Sequence, residues 1–291
     1  MLRVFLCALV LTLGLAPASA QQPKLKVVAT FSILADLARN VGGDRIEVTS
    51  LVGPNGDAHV YAPSPADART LAAAQLIVEN GLGFEGFMER LVKASGTKAP
   101  VVVASKGVRP LHDGNEIDPH AWQSVANAKL YVVNIRDALK QVDPAGASVY
   151  DAQTRGYLAK LDALEGEVKA TIAAIPPERR KIITTHDAFG YFAAAYGLKF
   201  IAPEGVATDS EASAKAIAAI ITQVRVEKVP AIFLENIIDP RLMKIIAHET
   251  GARIGGTLFS DALSAANGPA STYIDMMQNN IRQFSAALAS S

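Results

Sequence analysis

Apolar residues in this chain fall into short runs that alternate with stripes of helical period. The runs at 24–29, 46–52, 76–78 and 101–104 predict buried strands. Residues 33–41 carry helical spacing and end at Gly42-Gly43, and 84–93 carry it again. A helix over 65–74 has Ser64 as its N-cap and Pro65 at its first position. The second half repeats the habit, with strands predicted at 181–185, 199–201, 231–234 and 253–258. Helices are predicted there at 187–196, 213–227, 240–249 and 271–288. Strands alternating with helices imply parallel sheets covered on both faces.

One stretch breaks this rhythm. From 143 to 175 there is no strand signal, and Tyr150, Tyr157, Leu161, Leu164, Val168, Ile172 and Ile175 form one apolar stripe of helical spacing. Asp143 is the expected N-cap with Pro144 behind it, and Pro176-Pro177 stops the helix. At 1.5 Å per residue it would run roughly 45 Å, longer than ordinary crossover helices. The expected architecture is therefore α/β, with two Rossmann-like lobes joined by one long rigid linker helix. The expected boundaries are 21–142 for the first lobe, 143–176 for the helix and 177–291 for the second lobe. No internal sequence repeat is detectable, so the halves are related at most by architecture.

Residues 1–20 read as an address. A short positive start, an apolar run over 4–15 and Ala18-Ser19-Ala20 make a secretory signal cleaved after Ala20. The run is too short to anchor, since spanning takes about 20 apolar residues. A lipoprotein signal needs a Cys at the cleavage point, and the single Cys7 lies inside the apolar run. The mature chain is expected to be periplasmic, soluble and not lipidated.

Composition narrows the chemistry. The 28 Lys+Arg balance 28 Asp+Glu, which argues against a partner made of nucleic acid. One cysteine excludes disulfide scaffolds and thiolate metal sites. A bound metal must be held by nitrogen and oxygen.

Three of the five histidines stand where such a site could form. His59 follows a turn-rich stretch ahead of a capped helix, and His120 sits in Asp118-Pro119-His120-Ala121-Trp122. His186 and Asp261 each fall just past a predicted strand end, where ligands bind in open α/β sheets. Taken singly, each is more often a solvated polar or capping residue than a ligand. His248 suits the dipole at a helix end, and His112 lies in a short polar loop with Asp113 and Glu116, so neither is expected in a site.

Several strings, in order, resemble the cluster A-I solute-binding proteins of ABC importers, which capture zinc or manganese. They are Val27-Val28-Ala29-Thr30-Phe31-Ser32-Ile33, the stretch from His59-Val60-Tyr61 to Pro65-Ala66-Asp67, and Glu79-Asn80-Gly81. The others are Asp118-Pro119-His120-Ala121-Trp122, Thr185-His186-Asp187-Ala188-Phe189-Gly190-Tyr191-Phe192, Glu235-Asn236 and Ser260-Asp261-Ala262-Leu263. The resemblance covers essentially the whole mature chain. It implies His59, His120, His186 and Asp261 as metal ligands, buried between two lobes joined by a long helix. Glu235, at a predicted strand end, is the candidate acceptor behind a ligand, or simply a strand-end carboxylate.

Three imidazoles and one carboxylate suit zinc, whereas manganese-preferring members typically carry Glu at the position of His186. The loop before His120 is shorter than in many zinc-binding members, which leaves room for manganese as well. The expected function is high-affinity metal capture and delivery to an ABC permease in the inner membrane. A periplasmic metallochaperone is a possible further partner, and a monomer is expected. Two other classes stay open. A secreted zinc-dependent hydrolase would keep a coordination position for water, and no HExxH helix is present. A carrier of organic solutes or metal chelates would need an aromatic-lined cleft, while aromatic residues make up only 6%.

Overall fold

The computed structural model describes residues 23–210 and 212–288, so the expected signal segment 1–20 lies outside the described residues. The first lobe holds β1 (Leu25–Phe31), β2 (Ile46–Val52), β3 (Leu76–Glu79) and β4 (Val101–Val103). They pair in parallel in the order β2-β1-β3-β4. Helices α1 (Ser32–Gly42), α2 (Pro65–Ala72) and α3 (Met88–Ser95) connect them. The hairpin β5 (Leu111–Asp113) and β6 (Glu116–Asp118) follows, then α4 (Val125–Val142) and the long α5 (Ala147–Ala173). The second lobe contains β7 (Lys181–Ile183), α6 (Gly190–Tyr196), β8 (Lys199–Ile201), α7 (Ala214–Glu227) and β9 (Ala231–Glu235). Its last elements are α8 (Arg241–Thr250), β10 (Arg253–Leu258) and α9 (Tyr273–Leu288).

The second sheet is also parallel, in the order β10-β9-β7-β8. Read from β8, it runs second strand, first, third, fourth, the same order as in the first lobe. The chain thus builds one topology twice without repeating its sequence. In each sheet the connection changes direction beside the first strand, and the strand ends there open a crevice.

The local chemistry of α2 is as its sequence predicts. Ser64 Oγ accepts from the Asp67 backbone N–H, and Asp67 Oδ2 accepts from the Ser64 N–H at 2.6 Å. This reciprocal cap satisfies two donors that the helix start would leave orphaned.

Three expectations are corrected. No element is predicted over 125–142, yet α4 fills that span and buries Val125, Ala128, Tyr131, Val132, Ile135 and Leu139. The polar loop around His112 is a short antiparallel hairpin. Asp143 does not cap the long helix, because residues 144–146 form a 3-10 turn and α5 begins only at Ala147. The Asp143 carboxylate instead accepts from Arg45 Nε at 2.9 Å and from the Tyr150 hydroxyl at 2.6 Å. These ties hold it below its ordinary range against the opposing effect of burial. The helix therefore has 27 residues and a length of about 40 Å.

The predicted stripe on α5 is buried from Tyr150 to Ile172, joined by Thr154. It packs on α1 and α4 of the first lobe and on α9 of the second. The long helix is thus a strut embedded in both lobes. One large apolar core runs from the first sheet through α5 to Phe284 and Leu288 of α9. A smaller core, with Ile183, Ile232, Met243 and Ile246, fills the space between the second sheet, α7 and α8. A further tie joins α1 of the first lobe to α9 of the second: Asp36 accepts the first backbone N–H of α9, from Tyr273, at 2.9 Å.

Candidate metal centre

His59, His120, His186 and Asp261 converge between the lobes, with one donor atom from each lying within 4.8 Å of all the others. His59 lies on the loop between β2 and α2, and His120 follows β6. His186 and Asp261 lie three residues past the ends of β7 and β10. The His120, His186 and Asp261 side chains are fully buried, and that of His59 is 6% exposed.

The spacing of the donors is that of a coordination shell. His59 Nε2 lies 3.3 Å from His120 Nε2 and 3.2 Å from Asp261 Oδ2. His186 Nε2 lies 3.1 Å from Asp261 Oδ2, and His120 Nε2 lies 3.5 Å from Asp261 Oδ1. A tetrahedral ion with ligands at about 2.0–2.1 Å needs donor–donor edges of about 3.3 Å. The measured edges are close to that value. Without an ion the cluster leaves Asp261 Oδ1 buried with no hydrogen-bond donor, a cost that a cation removes.

Two of the three rings are oriented from behind. Asp118 Oδ1 accepts from the His120 backbone N–H at 2.9 Å and lies 2.8 Å from its ring Nδ1. Glu235, the last residue of β9, does the same for His186. Its Oε1 accepts from the backbone N–H groups of Thr185 at 2.7 Å and His186 at 3.1 Å. Its Oε2 stands 2.8 Å from His186 Nδ1, close enough for an ion pair though not aligned as a regular hydrogen bond. A carboxylate behind Nδ1 turns Nε2 toward the centre and raises its basicity. Sequence reading singles out Glu235 and misses Asp118. The signal was present, because Asp57-Ala58-His59 and Asp118-Pro119-His120 share one spacing, and both aspartates accept the N–H of the histidine two residues on.

The buried carboxylates govern proton affinity. Burial alone would lower His120, but Asp261 and Asp118 outweigh it and raise the ring to about 9. His186 is likewise raised well above its ordinary value, with burial overcome by Glu235 and Asp261. Asp261 is held well below its ordinary value, since His120 and His186 outweigh the burial that would raise it.

The loop carrying Asp261 belongs to the second lobe but is gripped by the first. The Ser260 carbonyl accepts from Trp122 Nε1 at 2.9 Å and from Gln123 Nε2 at 2.7 Å. The Leu263 N–H donates to Ser32 Oγ at 2.9 Å, and its carbonyl accepts from the Asn55 N–H at 2.9 Å. Trp122 also packs edge-on to His120 and to Phe84, which in turn stands against His59. His112 sits exposed on the β5–β6 hairpin and His248 exposed near the end of α8, both outside the cluster.

Two parallel-sheet lobes, a shared long helix and a buried three-imidazole, one-carboxylate pocket define a metal-ion solute-binding protein of the ABC-importer class. The chain belongs to the family described as zinc-uptake complex component A, periplasmic, which it matches over residues 27–287. It is 35% identical over 263 residues to the iron-binding protein YfeA of Yersinia pestis, spanning 89% of this chain and 84% of that protein. It is 34% identical over 266 residues to the manganese-binding lipoprotein MntA of Halalkalibacterium halodurans, spanning 91% and 89%. The structure resembles the periplasmic zinc binding protein TroA from Treponema pallidum with a TM-score of 0.89 and 32% identity, covering 92% of this chain and 100% of that one. The protein is thus the metal-binding component of an ABC metal transporter, a solute-binding protein and not an enzyme, and it implies a membrane permease as partner.

Proposed function

We propose that this protein captures zinc with His59, His120, His186 and Asp261, accepts manganese less tightly, and hands the ion to its permease. The observation that carries the choice of metal is the donor set: three imidazole nitrogens and a single carboxylate, in a shell already spaced for a small four-coordinate ion. Carboxylate-rich sites suit manganese, and imidazole suits zinc. The relatives' names divide among iron, manganese and zinc, so kinship alone does not choose. Asp118 and Glu235 act behind His120 and His186, supplying negative charge that offsets the divalent ion.

Export by a cleaved signal at 1–20 belongs to the same reading. The Halalkalibacterium relative is named a lipoprotein, but the only thiol of this chain is Cys7, ahead of the proposed cleavage point. We place the mature protein in the periplasm without a lipid, as a monomer of lobes 21–142 and 177–291 joined by the helical segment 143–176. A metallochaperone is an optional donor to it.

Competitive titration of metal-free protein with zinc and manganese tests the reading. Zinc binding one-to-one and at least 100-fold tighter than manganese is the expected result. Equal affinities, or preference for manganese, would overturn the choice of metal.

A further inference from the structure

We propose that Asp57 and Thr208 form a latch across the lobe interface that sets how long the bound ion stays. The inference rests on the metal-binding reading above.

Of the four donors, His59 has the weakest support of its own. It lies well past the end of β2 in a turn-rich loop, and its side chain is the one with measurable exposure. The next residue, Val60, is 53% exposed. An ion leaving a four-ligand shell loses first the ligand whose backbone moves most readily.

That loop is fastened to the opposite lobe. Asp57 Oδ1 accepts from the His59 N–H at 2.9 Å, and its Oδ2 accepts from the Thr208 hydroxyl at 2.6 Å. One carboxylate therefore joins the backbone of His59 to the second lobe. Asn55 adds a tie, its Oδ1 accepting from Asn236 Nδ2 at 3.0 Å. The Thr208 segment is itself seated on the loop of another donor. The Gly205 carbonyl accepts from the Asp187 N–H at 3.0 Å, and the Glu204 N–H donates to the Thr185 carbonyl at 3.3 Å. Hydrogen bonds thus run from the amide of His59 to both neighbours of His186. None of these groups touches the ion position, so the latch changes the persistence of the shell and not its chemistry. Asp57 and Thr208 are positioning residues.

The test uses the mature full chain, zinc as the ion, and a fast chromophoric chelator to read the dissociation rate. Thr208→Val keeps the shape and removes the donor, whereas Thr208→Ser keeps the donor. The expected result is about 5- to 10-fold faster zinc release for Thr208→Val, as for the loss of one hydrogen bond. Thr208→Ser should release zinc at the wild-type rate, and the metal-free melting temperature should be unchanged in both. The latch is overturned if Thr208→Val releases zinc at the wild-type rate, or if Thr208→Ser is as fast as Thr208→Val. It is also overturned if Thr208→Val destabilises the metal-free protein as much as the zinc-bound one, which is the mark of a purely structural contact. A wild-type chain that binds neither zinc nor manganese would overturn the metal-binding reading together with the latch, a failure distinct from these.

Discussion

Asp118 of the first lobe occupies the space that a side chain on Gly190 of the second lobe would need. A Cβ at residue 190 would collide with Asp118 Oδ2. The other oxygen of the same carboxylate holds the amide and faces the ring of His120. Gly190 is therefore required for room, since its backbone is not in the left-handed region. Gly190→Ala is expected to push Asp118 off His120 and to weaken zinc binding about 10-fold, as the loss of an outer carboxylate does. Competition against a calibrated chelator measures this, and wild-type affinity in the variant would refute the coupling.

The donor assignment separates two histidines. His120→Ala removes a fully buried donor and is expected to lower zinc affinity by at least 100-fold. His112→Ala changes an exposed hairpin residue and is expected to leave affinity within twofold. Calorimetric titration of both variants checks the contrast. Zinc affinity that ignores the first change would remove His120 from the shell.

Protons and metal compete for the same nitrogens. In the metal-free protein His120 is raised to about 9 because Asp261 and Asp118 outweigh burial, while a bound ion requires the neutral ring. Binding should release protons, and zinc affinity should climb at least tenfold per pH unit from pH 6 toward pH 9. The stability that the protonated ring gives the metal-free fold runs the other way. It is full below the ordinary value of 6.5 and is lost as pH rises through about 9. The zinc-induced rise in melting temperature should therefore grow across that window. An affinity flat from pH 6 to pH 8 would contradict the ligand set.

A second titration lies away from the metal. Burial raises Asp36 to about 6 from its ordinary 3.8, with Asp275 adding to the shift and the Tyr273 N–H, Arg39 and Asn40 opposing it. The unfolded chain ionises this carboxyl first, so its contribution to stability falls as pH rises from about 4 through 6. Asp36→Asn keeps an oxygen for the α9 amide and removes the penalty. It is expected to stabilise the metal-free protein by roughly 1–2 kcal/mol at pH 7, with the gain vanishing near pH 4. Urea denaturation at both pH values decides the matter, and a loss of stability at pH 7 would show that the ionised carboxylate is needed as the cap.

The sheets, the long helix and the four clustered side chains are legible in the sequence for different reasons. β2, β8 and β10 match their predicted bounds although they are edge strands and only partly buried, because turn residues close each run. The stripe on α5 is buried as predicted from Tyr150 to Ile172, whereas the helix starts later than predicted and ends at Ala173, short of Ile175. Asp143-Pro144 has the form of a helix cap, and only tertiary structure places Arg45 beside that carboxylate. The unpredicted α4 carries a regular apolar stripe from Val125 to Leu139, so its helical period is present in the sequence. The four donors are scattered over some two hundred residues and became a set through resemblance to a family. The Asp-x-His spacing at 57–59 and 118–120 marks Asp118 in the sequence, whereas nothing there marks Thr208, because its partner lies in the other lobe.

The four proposed ligands divide evenly between the halves of the molecule: His59 and His120 from one lobe, His186 and Asp261 from the other. With these four residues as the proposed ligands, an ion would act as a rivet between the lobes. It would add a crosslink to the ties already made by α5 and by the Asp261 loop. Its binding would therefore stiffen a joint that the protein already holds closed.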